Sequence, residues 1–323
     1  MTENEHQYGV RRVNGILWLA VTALAIGCLA VFLQSKYAKD PSSGLRDGQA
    51  KSLTVYCAAG VRSAVEEMAK KFETEMGVSV KLEYANSGVL ANRLKIDKEG
   101  GLASADIYIP ADYTYIKKAA ADGLTRESLR VASWQVVLGV KPGADIDVEN
   151  CGDVLKAKLS FVICEPLAGV GKKTKKMLEQ SGHWAAINEA KAASFPTVTE
   201  AAMAVKENPG TQAAFVWDSV ARQHGLRVIN LPELKASRAN ISVAVTASTD
   251  RPTLALQFAR FLAAPDKGGK VFARHNYQPL AGDAWVKVPK LRVDCGGVNR
   301  EAIEKTIREF EAREGCIITM VYA

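Results

Sequence analysis

Apolar and polar positions alternate between strand-like and helix-like segments from Leu53 onwards. An apolar run at residues 53–57 predicts a strand, and the segment after it predicts an amphipathic helix that ends at Gly77. The apolar positions of that helix have the i, i+3, i+4, i+7 spacing and are Val65, Met68, Ala69, Phe72 and Met76. Strands at 78–84 and 105–109 follow, each leading into another helix. This βαβαβ order predicts an α/β fold with a mostly parallel sheet and helices on both faces.

A second series of strands and helices begins near residue 130 and predicts a second lobe. The strands predicted in this series lie at 130–140, 159–164, 213–217, 228–231 and 241–246. We expect one domain over residues 53–289. Its first lobe would combine residues 53–131 with 241–289, and its second lobe would be residues 132–239. The chain then crosses between the lobes twice, so two hinge strands would border the cleft.

One segment of this pattern occurs twice. Leu53–Ala85 and Leu291–Ala323 align without a gap at an offset of 238 residues, and eleven positions are identical. Ordinary composition would give roughly two identities over this length. We therefore interpret residues 290–323 as the start of a second, incomplete copy of the domain that begins at residue 53.

The N-terminal part of the chain carries an uncharged apolar run at residues 16–33, preceded by Arg11 and Arg12. Its length approaches the ~20 residues that span a bilayer, and the arginines favour a cytoplasmic N-terminus. We interpret residues 1–14 as cytoplasmic, 15–34 as an uncleaved transmembrane signal anchor and 35–52 as a flexible linker. A cleaved signal peptide and a lipoprotein signal ending at Cys28 are the alternatives. Under the favoured interpretation the protein is a single-pass protein of the cytoplasmic membrane, with its domain outside the cytoplasm.

Composition and motifs exclude several classes of function. The formal net charge is +7, but no dense Lys/Arg tract with interleaved aromatics is present, so nucleic acid is not an expected partner. The six cysteines show no CxxC spacing and the four histidines are scattered, so we expect no metal site. The sequence contains no Walker loop, HExxH motif or Ser-His-Asp order. We therefore expect a protein that is not an enzyme and that needs no cofactor.

Four turns are candidates for a binding site, because each lies just before a predicted helix. They cover residues 58–62, 86–88, 169–171 and 196–199. Ligands of open α/β sheets bind beyond the carboxyl ends of the strands, and helix N-termini offer unpaired N–H donors to an anion. The alternative interpretation is that Ser, Thr and Gly at these turns only cap their helices.

Four segments resemble the periplasmic molybdate-binding proteins of ABC transporters: VYCAAGVRSAVEEMAKKFE, YANSGVLANRL, SADIYIPAD and AAFVWDSVA. The resemblance covers residues 53–289. It implies a two-lobed type II periplasmic-binding fold with two crossover strands, here preceded by the N-terminal transmembrane helix. It also implies capture of a molybdate-like tetrahedral oxyanion and its delivery to an ABC transporter permease. Residues 290–323 would then begin a second solute-binding domain.

The resemblance also assigns ligand-binding positions in this chain. A serine of the family falls on Gly60, which leaves only a backbone donor there, and a second serine is matched by Ser87. Two backbone contacts fall near Val170 and Val198. The tyrosine donor of the family falls on Trp217, whose indole N–H can donate instead.

Two alternative functions remain open on the same fold. One is a membrane-anchored sensor or receptor that reports occupancy to a partner. The other is binding of ferric iron or another small anion, although iron would need Tyr, His or carboxylate ligands at the cleft.

Charged residues near the turns have simpler interpretations. Lys172, Lys173, Lys175 and Lys176 would form a solvated helix face or guide anions into the cleft. Arg62 lies at a helix start and could reach a ligand, although its copy Arg300 equally indicates a structural or surface role. The resemblance implies structural roles for Asp106 and Asp112.

Overall fold

A computed structural model describes residues 52–102, 105–296 and 300–322. The strands are β1 (Ser52–Ala58), β2 (Ser79–Ala85), β3 (Ile107–Ile109), β4 (Thr125–Trp134), β5 (Val136–Val140), β6 (Phe161–Cys164), β7 (Ala193–Phe195), β8 (Ala213–Trp217), β9 (Arg227–Ile229), β10 (Ala239–Thr246), β11 (Gln278–Pro279), β12 (Lys290–Cys295) and β13 (Ile317–Tyr322). The α-helices are α1 (Arg62–Met76), α2 (Ser87–Glu99), α3 (Tyr113–Ala121), α4 (Cys151–Lys156), α5 (Gly169–Gln180), α6 (Trp184–Ala190), α7 (Val198–Glu207), α8 (Asp218–Gln223), α9 (Pro252–Ala263), α10 (Lys270–Arg274) and α11 (Arg300–Glu314). Short helical turns lie at Ala59–Val61, Pro232–Leu234 and Pro265–Gly269.

The predicted transmembrane anchor at residues 15–34 lies outside the described residues. Within the described ranges, no helix combines the length and the apolar character needed to cross a membrane.

The sheet of lobe 1 has six strands in the order β11-β4-β10-β3-β1-β2. Strand β1 runs parallel to β2 and β3, but β10 is antiparallel to both β3 and β4. The expectation of a mostly parallel sheet is therefore wrong for half of this lobe. The reason is the path of the chain, because β10 re-enters lobe 1 from the other lobe and runs against the strands already there.

The sheet of lobe 2 has five strands in the order β7-β6-β8-β5-β9. Strand β6 is parallel to β7 and β8, whereas β5 is antiparallel to β8 and β9. Both sheets are thus mixed, and each carries helices on its faces. The carboxyl ends of their parallel strands lead into the helices that border the cleft.

The strand predicted at residues 130–140 is two strands that belong to different sheets. The break falls at Gln135, between β4 of lobe 1 and β5 of lobe 2. The return crossing ends at Ala239, which pairs with Trp134, and the Ser237 hydroxyl accepts a hydrogen bond from the Val136 N–H at 2.9 Å. The lobe boundaries therefore lie a few residues away from the predicted ones at 131/132 and 239/241.

The predicted apolar face of α1 packs into the core of lobe 1. Val65, Met68 and Phe72 are fully buried. The Phe72 ring meets Phe258 and Phe261 of α9 edge-on, with centroids 5.0 and 5.3 Å apart. Aromatic pairs of this geometry add about 0.5–1.5 kcal/mol each beyond the burial of area. Helix α9 therefore covers α1.

Charged residues also join α1 to the helices over it. The Glu67 carboxylate binds Arg274 and lies 3.0 Å from Nε2 of His275. Glu75 pairs with Lys267 at 2.7 Å. All three basic partners lie in the segment from Lys267 to His275, which contains α10.

The C-terminal segment has the same element order as the start of lobe 1. Strands β12 and β13 are parallel, with Leu291 opposite Ile318, as Leu53 lies opposite Val80 in β1 and β2. Helix α11 buries none of its residues.

We expect the free energy of unfolding of Glu67→Gln to differ from wild type in its pH dependence. Burial raises the pKa of Glu67, but hydrogen bonds from Lys71 and His275 and the charges of Lys71 and Arg274 outweigh it and lower the pKa to about 2, from 4.5. A lowered folded-state pKa stabilises the protein above pH 4.5, and this contribution is lost as the pH falls towards 2. Urea denaturation between pH 2 and 6 measures the difference.

The advantage of wild type over Glu67→Gln should shrink across that interval, whereas Glu189→Gln, at an exposed position, should follow wild type throughout. A constant difference between wild type and Glu67→Gln would contradict the assignment.

Candidate functional site

The four turns singled out by the sequence meet between the two lobes. They surround a cavity of about 20 Å³. The lining residues are Ala58, Ala59, Gly60, Asn86, Ser87, Ala111, Ala168, Gly169, Val170, Thr197, Val198 and Trp217. All five predicted site residues therefore line one cavity. Their role as ligand contacts stays a prediction.

Two of the turns carry the helix caps that their sequences indicate. The Asn86 side chain caps α2 by accepting a hydrogen bond from the Val89 N–H at 2.8 Å. Thr197 and Glu200 form a reciprocal capping box at the start of α7. The capping interpretation is thus right here, but it does not compete with a binding role, because each cap satisfies only part of the first turn.

The N-terminus of α5 is built differently. Its N-cap residue, Ala168, has no side chain that can accept a hydrogen bond. The helix begins close against the preceding strand, since a Cβ on Gly171 would lie 2.1 Å from the carbonyl oxygen of Glu165. The first-turn N–H groups of an α-helix have no intrahelical acceptor. Helix α5 therefore offers uncapped donors and the positive end of its dipole to the cavity.

Ser87 is a buried hydroxyl with one fixed partner. Its oxygen accepts a hydrogen bond from the Ala111 N–H at 3.0 Å, and its carbonyl accepts one from the Tyr108 hydroxyl at 2.8 Å. Burial raises the pKa of Tyr108, so this phenol stays a protonated donor. Because the Ser87 oxygen already accepts a bond, its own proton is left to donate to a ligand.

Trp217 supplies a second neutral donor. Its side chain is fully buried and lies parallel to Trp134, with ring centroids 4.5 Å apart. The indole N–H of Trp134 donates to the Ala111 carbonyl at 2.9 Å, but the N–H of Trp217 has no partner among the described residues. A buried donor without an acceptor costs about 1–3 kcal/mol. An acceptor supplied by a ligand in this cavity would remove that cost.

Gly60 is enclosed on the side where a side chain would stand. A Cβ there would lie 2.7 Å from Cγ1 of Val198 and 3.2 Å from the Trp134 ring. The Tyr277 hydroxyl donates to the Gly60 carbonyl at 2.5 Å. The glycine thus permits lobe 1 to approach lobe 2, and the turn can offer only its backbone.

Direct hydrogen bonds join the lobes around the cavity. The Asn86 amide donates to the Pro196 carbonyl at 3.2 Å, and the Gly88 N–H donates to the Leu167 carbonyl at 3.1 Å. The Tyr115 hydroxyl donates to the same Leu167 carbonyl at 3.0 Å, and burial raises its pKa to about 12. The structure is therefore a closed form of the cleft.

An ion pair also crosses the cleft. Nζ of Lys173 lies 2.8 Å from the carboxylate of Asp112, and the two side chains are 17% and 7% exposed. Asp112 also caps α3 through the Thr114 N–H at 2.7 Å. The interpretation of the lysines as a solvated face or anion guide is therefore wrong for Lys173. Its partner lies 61 residues earlier in the chain and cannot be found from local spacing.

Arg62, Asp106 and Asp112 have structural contacts. Arg62 stacks on Tyr84 with its guanidinium 4.1 Å from the ring centre, and Asp106 accepts a hydrogen bond from the Thr54 N–H at 2.8 Å.

Metal binding and disulfides find no support in the described ranges. No group of three or more His, Cys, Asp or Glu side chains is placed there to hold a metal ion. The five cysteines at 57, 151, 164, 295 and 316 are unpaired.

Sequence reasoning missed Ala111 and Trp134. Ala111 joins Ser87 to Trp134 through its backbone groups, and any residue type can do this. Trp134 had a visible signal, because it is the single aromatic residue of β4 and lies at the end of that strand.

Comparison with known proteins agrees with this architecture. A family model described as bacterial extracellular solute-binding protein matches residues 53–278. The chain belongs to this family. The molybdate-binding protein ModA of Escherichia coli is 26% identical over 234 residues, which are 70% of this chain and 88% of that protein. The match supports a solute-binding protein rather than an enzyme, with its domain outside the cytoplasm.

Solved structures show the same fold. The periplasmic molybdate-binding protein of Azotobacter vinelandii superposes with a TM-score of 0.59 at 19% identity, over 71% of this chain and 100% of that chain. The ferric binding protein of Campylobacter jejuni superposes with a TM-score of 0.57 at 19% identity, over 72% of this chain and 88% of that chain. The fold is therefore shared by proteins named for different ligands, and the ligand must be argued from the site.

We expect Lys173→Gln to shift the chain towards an open cleft. The substitution leaves the Asp112 carboxylate without its partner from lobe 2 and should cost the closed form about 1–3 kcal/mol. Small-angle X-ray scattering would detect this as a larger radius of gyration than that of wild type.

Lys176→Gln is the matched control, since Lys176 lies on the same helix at an exposed position. An unchanged scattering curve for Lys173→Gln would show that the ion pair does not hold the lobes together.

Proposed function

We propose that the cleft binds a molybdate-like tetrahedral oxyanion outside the cytoplasm and that the protein delivers it to an ABC transporter permease. The observation that carries this proposal is the buried indole N–H of Trp217, which lines the cavity without an acceptor. The Ser87 hydroxyl and the start of α5, whose N-cap residue Ala168 caps no N–H group, line the same cavity. These donors require an acceptor of several hydrogen bonds.

The chemistry of the lining favours a fully deprotonated anion. Among the described lining residues, none carries a charge, and the Asn86 side-chain oxygen already accepts a hydrogen bond from Val89. An oxyanion that still carries a proton needs an acceptor in the site. A dianion such as molybdate, tungstate or sulfate accepts bonds and donates none. Helix N-termini and buried neutral donors stabilise such a charge without a counter-charge from a side chain.

The same lining disfavours ferric iron. Fe³⁺ prefers carboxylate, phenolate or imidazole ligands, and the described lining residues include no Asp, Glu, Tyr or His. The resemblance to the ferric binding protein therefore supports the fold and not that ligand.

The cavity in this closed form is smaller than an oxyanion. A volume of about 20 Å³ accommodates roughly one water molecule. The lobes must separate slightly about Gln135 and Arg238 to admit a five-atom anion, and the ligand would then replace part of the direct contact between Gly60 and Val198. Hinge closure of this kind is a common response of two-lobed binding proteins to a ligand.

Anchoring to the cytoplasmic membrane by residues 15–34 is part of the proposal. It rests on the uncharged apolar run at 16–33 and the arginines before it. An anchored domain would hold its solute near a permease in the same membrane.

Isothermal titration of the chain with molybdate, tungstate and sulfate tests the oxyanion. We expect saturable binding of at least one of them and about tenfold to 100-fold weaker binding by Trp217→Phe. That variant keeps the aromatic ring and removes the donor, and a hydrogen bond to a charged group contributes about 1.5–3 kcal/mol.

Trp184→Phe is the matched control, because Trp184 lies on α6 and not among the cavity residues. No heat with any of the three anions would refute the oxyanion. Equal affinities of wild type and Trp217→Phe would show that the indole N–H does not bind the anion.

A second titration tests the effect of having glycine at position 60, where the family has a serine. Restoring the family's serine by Gly60→Ser should weaken binding about tenfold, because its Cβ overlaps Val198 in the closed form. The double variant Gly60→Ser with Val198→Ala should recover most of the loss. Tighter binding by Gly60→Ser alone would mean that the lobes of the bound form are further apart than Gly60 and Val198 are here.

A further inference from the structure

The C-terminal unit repeats the internal contacts of the β1-α1-β2 unit. The Tyr322 hydroxyl donates to Glu304 at 3.1 Å, as the Tyr84 hydroxyl donates to Glu66 at 3.1 Å. The two units therefore share this internal contact, and their outward faces can be compared position by position at the offset of 238.

A second pair of contacts confirms this correspondence. The Glu311 carboxylate accepts a hydrogen bond from the Ile318 N–H at 2.5 Å, as Glu73 accepts one from the Val80 N–H at 2.7 Å. The helix of each unit is thus tied to its second strand in the same register.

The outer face of α11, which we define as Ala302, Lys305, Thr306 and Phe310, is exposed. The corresponding α1 residues Ala64, Met68 and Phe72 are fully buried under α9 and α10. Phe310 is 46% exposed. Ala302 and Thr306 are small, and the Thr306 hydroxyl donates a hydrogen bond to the Ala302 carbonyl at 3.1 Å. A helix can therefore approach this face closely.

The charge on this face is opposite to that of α1. Glu67 of α1 binds Arg274 and His275, whereas the corresponding residue of α11 is Lys305. Across the part of the chain that the structure describes, Lys305 forms no ion pair, whereas its neighbour Arg308 lies 4.0 Å from Glu304. The basic α10 of this chain would repel Lys305, which disfavours a swapped second copy as the occupant.

The rest of α11 already has a partner in lobe 1. The Thr253 hydroxyl donates to the Ala312 carbonyl at 3.1 Å, and Arg313 pairs with Glu127. These contacts hold the C-terminal end of α11 against α9 and β4. They leave the outer face at the other end uncovered.

We propose that the outer face of α11 binds the counterpart of α9–α10 in a second solute-binding lobe, with an aromatic side chain against Phe310 and an acidic residue against Lys305. The template for this interface is the cover of α1 within lobe 1. The reversal of charge at position 305 makes the interface specific for an acidic counterpart.

Peptide binding to the full chain tests the interface. One fluorescein-labelled peptide has the sequence of residues 252–275, and a second carries Arg274→Glu and His275→Glu. In both peptides a side-chain staple within residues 252–263 keeps the segment of α9 helical. We expect fluorescence anisotropy to show the acidic peptide binding wild type at least tenfold more tightly than the unmodified peptide.

Three variants of the chain test the proposed contacts of Lys305 and Phe310. Lys305→Glu should reverse the preference between the peptides, and Phe310→Asp should weaken the acidic peptide at least tenfold. Arg308→Glu, a matched charge change off the outer face, should leave the preference unchanged. Absence of binding, equal binding of the two peptides, or a preference that Lys305→Glu does not reverse would overturn the proposal. A homodimer in sedimentation that Phe310→Asp abolishes would also overturn it, because the occupant would then be a second copy.

Discussion

The stacking of Trp134 on Trp217 joins the hinge to the binding cleft. Trp134 is the last residue of β4 before the chain crosses to lobe 2, and Trp217 is the last residue of β8, opposite Val136. The crossing residue Gln135 is held on lobe 2, since its N–H donates to Asp218 at 3.2 Å and its carbonyl accepts from the Asp218 N–H at 2.9 Å. Any rotation of the lobes about Gln135 therefore takes place next to the two indole rings.

This arrangement would allow neutral groups to bind the proposed anion at the cleft. The Trp134 ring closes one side of Gly60, and its N–H fixes Ala111, which in turn fixes the Ser87 oxygen. Donors that are oriented before a ligand arrives lose little freedom when they bind it. In a small cavity lined largely by buried residues, helix N-termini and single N–H groups interact with an anion more strongly than they would in bulk water.

The sequence predicts which turns meet at the cavity, but it misses parts of the fold around them. The turns at residues 58–62, 86–88, 169–171 and 196–199 could be found because a helix start after a strand has a local signature of small and capping residues. The break at Gln135 could not, because apolar residues continue on both sides of it. The Lys173–Asp112 pair and the mixed strand directions are equally invisible, since both depend on how distant segments meet. The resemblance to a known family, and not periodicity, supplied the assignment of Trp217.

The repeated segment allows residues that make contacts within the unit to be compared with residues that face a neighbouring element. Several residues that make hydrogen bonds within the unit are the same in both copies, as in the pairs Glu66 and Glu304 or Tyr84 and Tyr322. On the outward face, Ala64 and Phe72 recur as Ala302 and Phe310, but Glu67 is replaced by Lys305. Internal contacts fix the fold of the unit, whereas outward charges select what covers it. A reversal of charge at the position that binds α10 in the first copy is therefore expected if the second copy has a different neighbour.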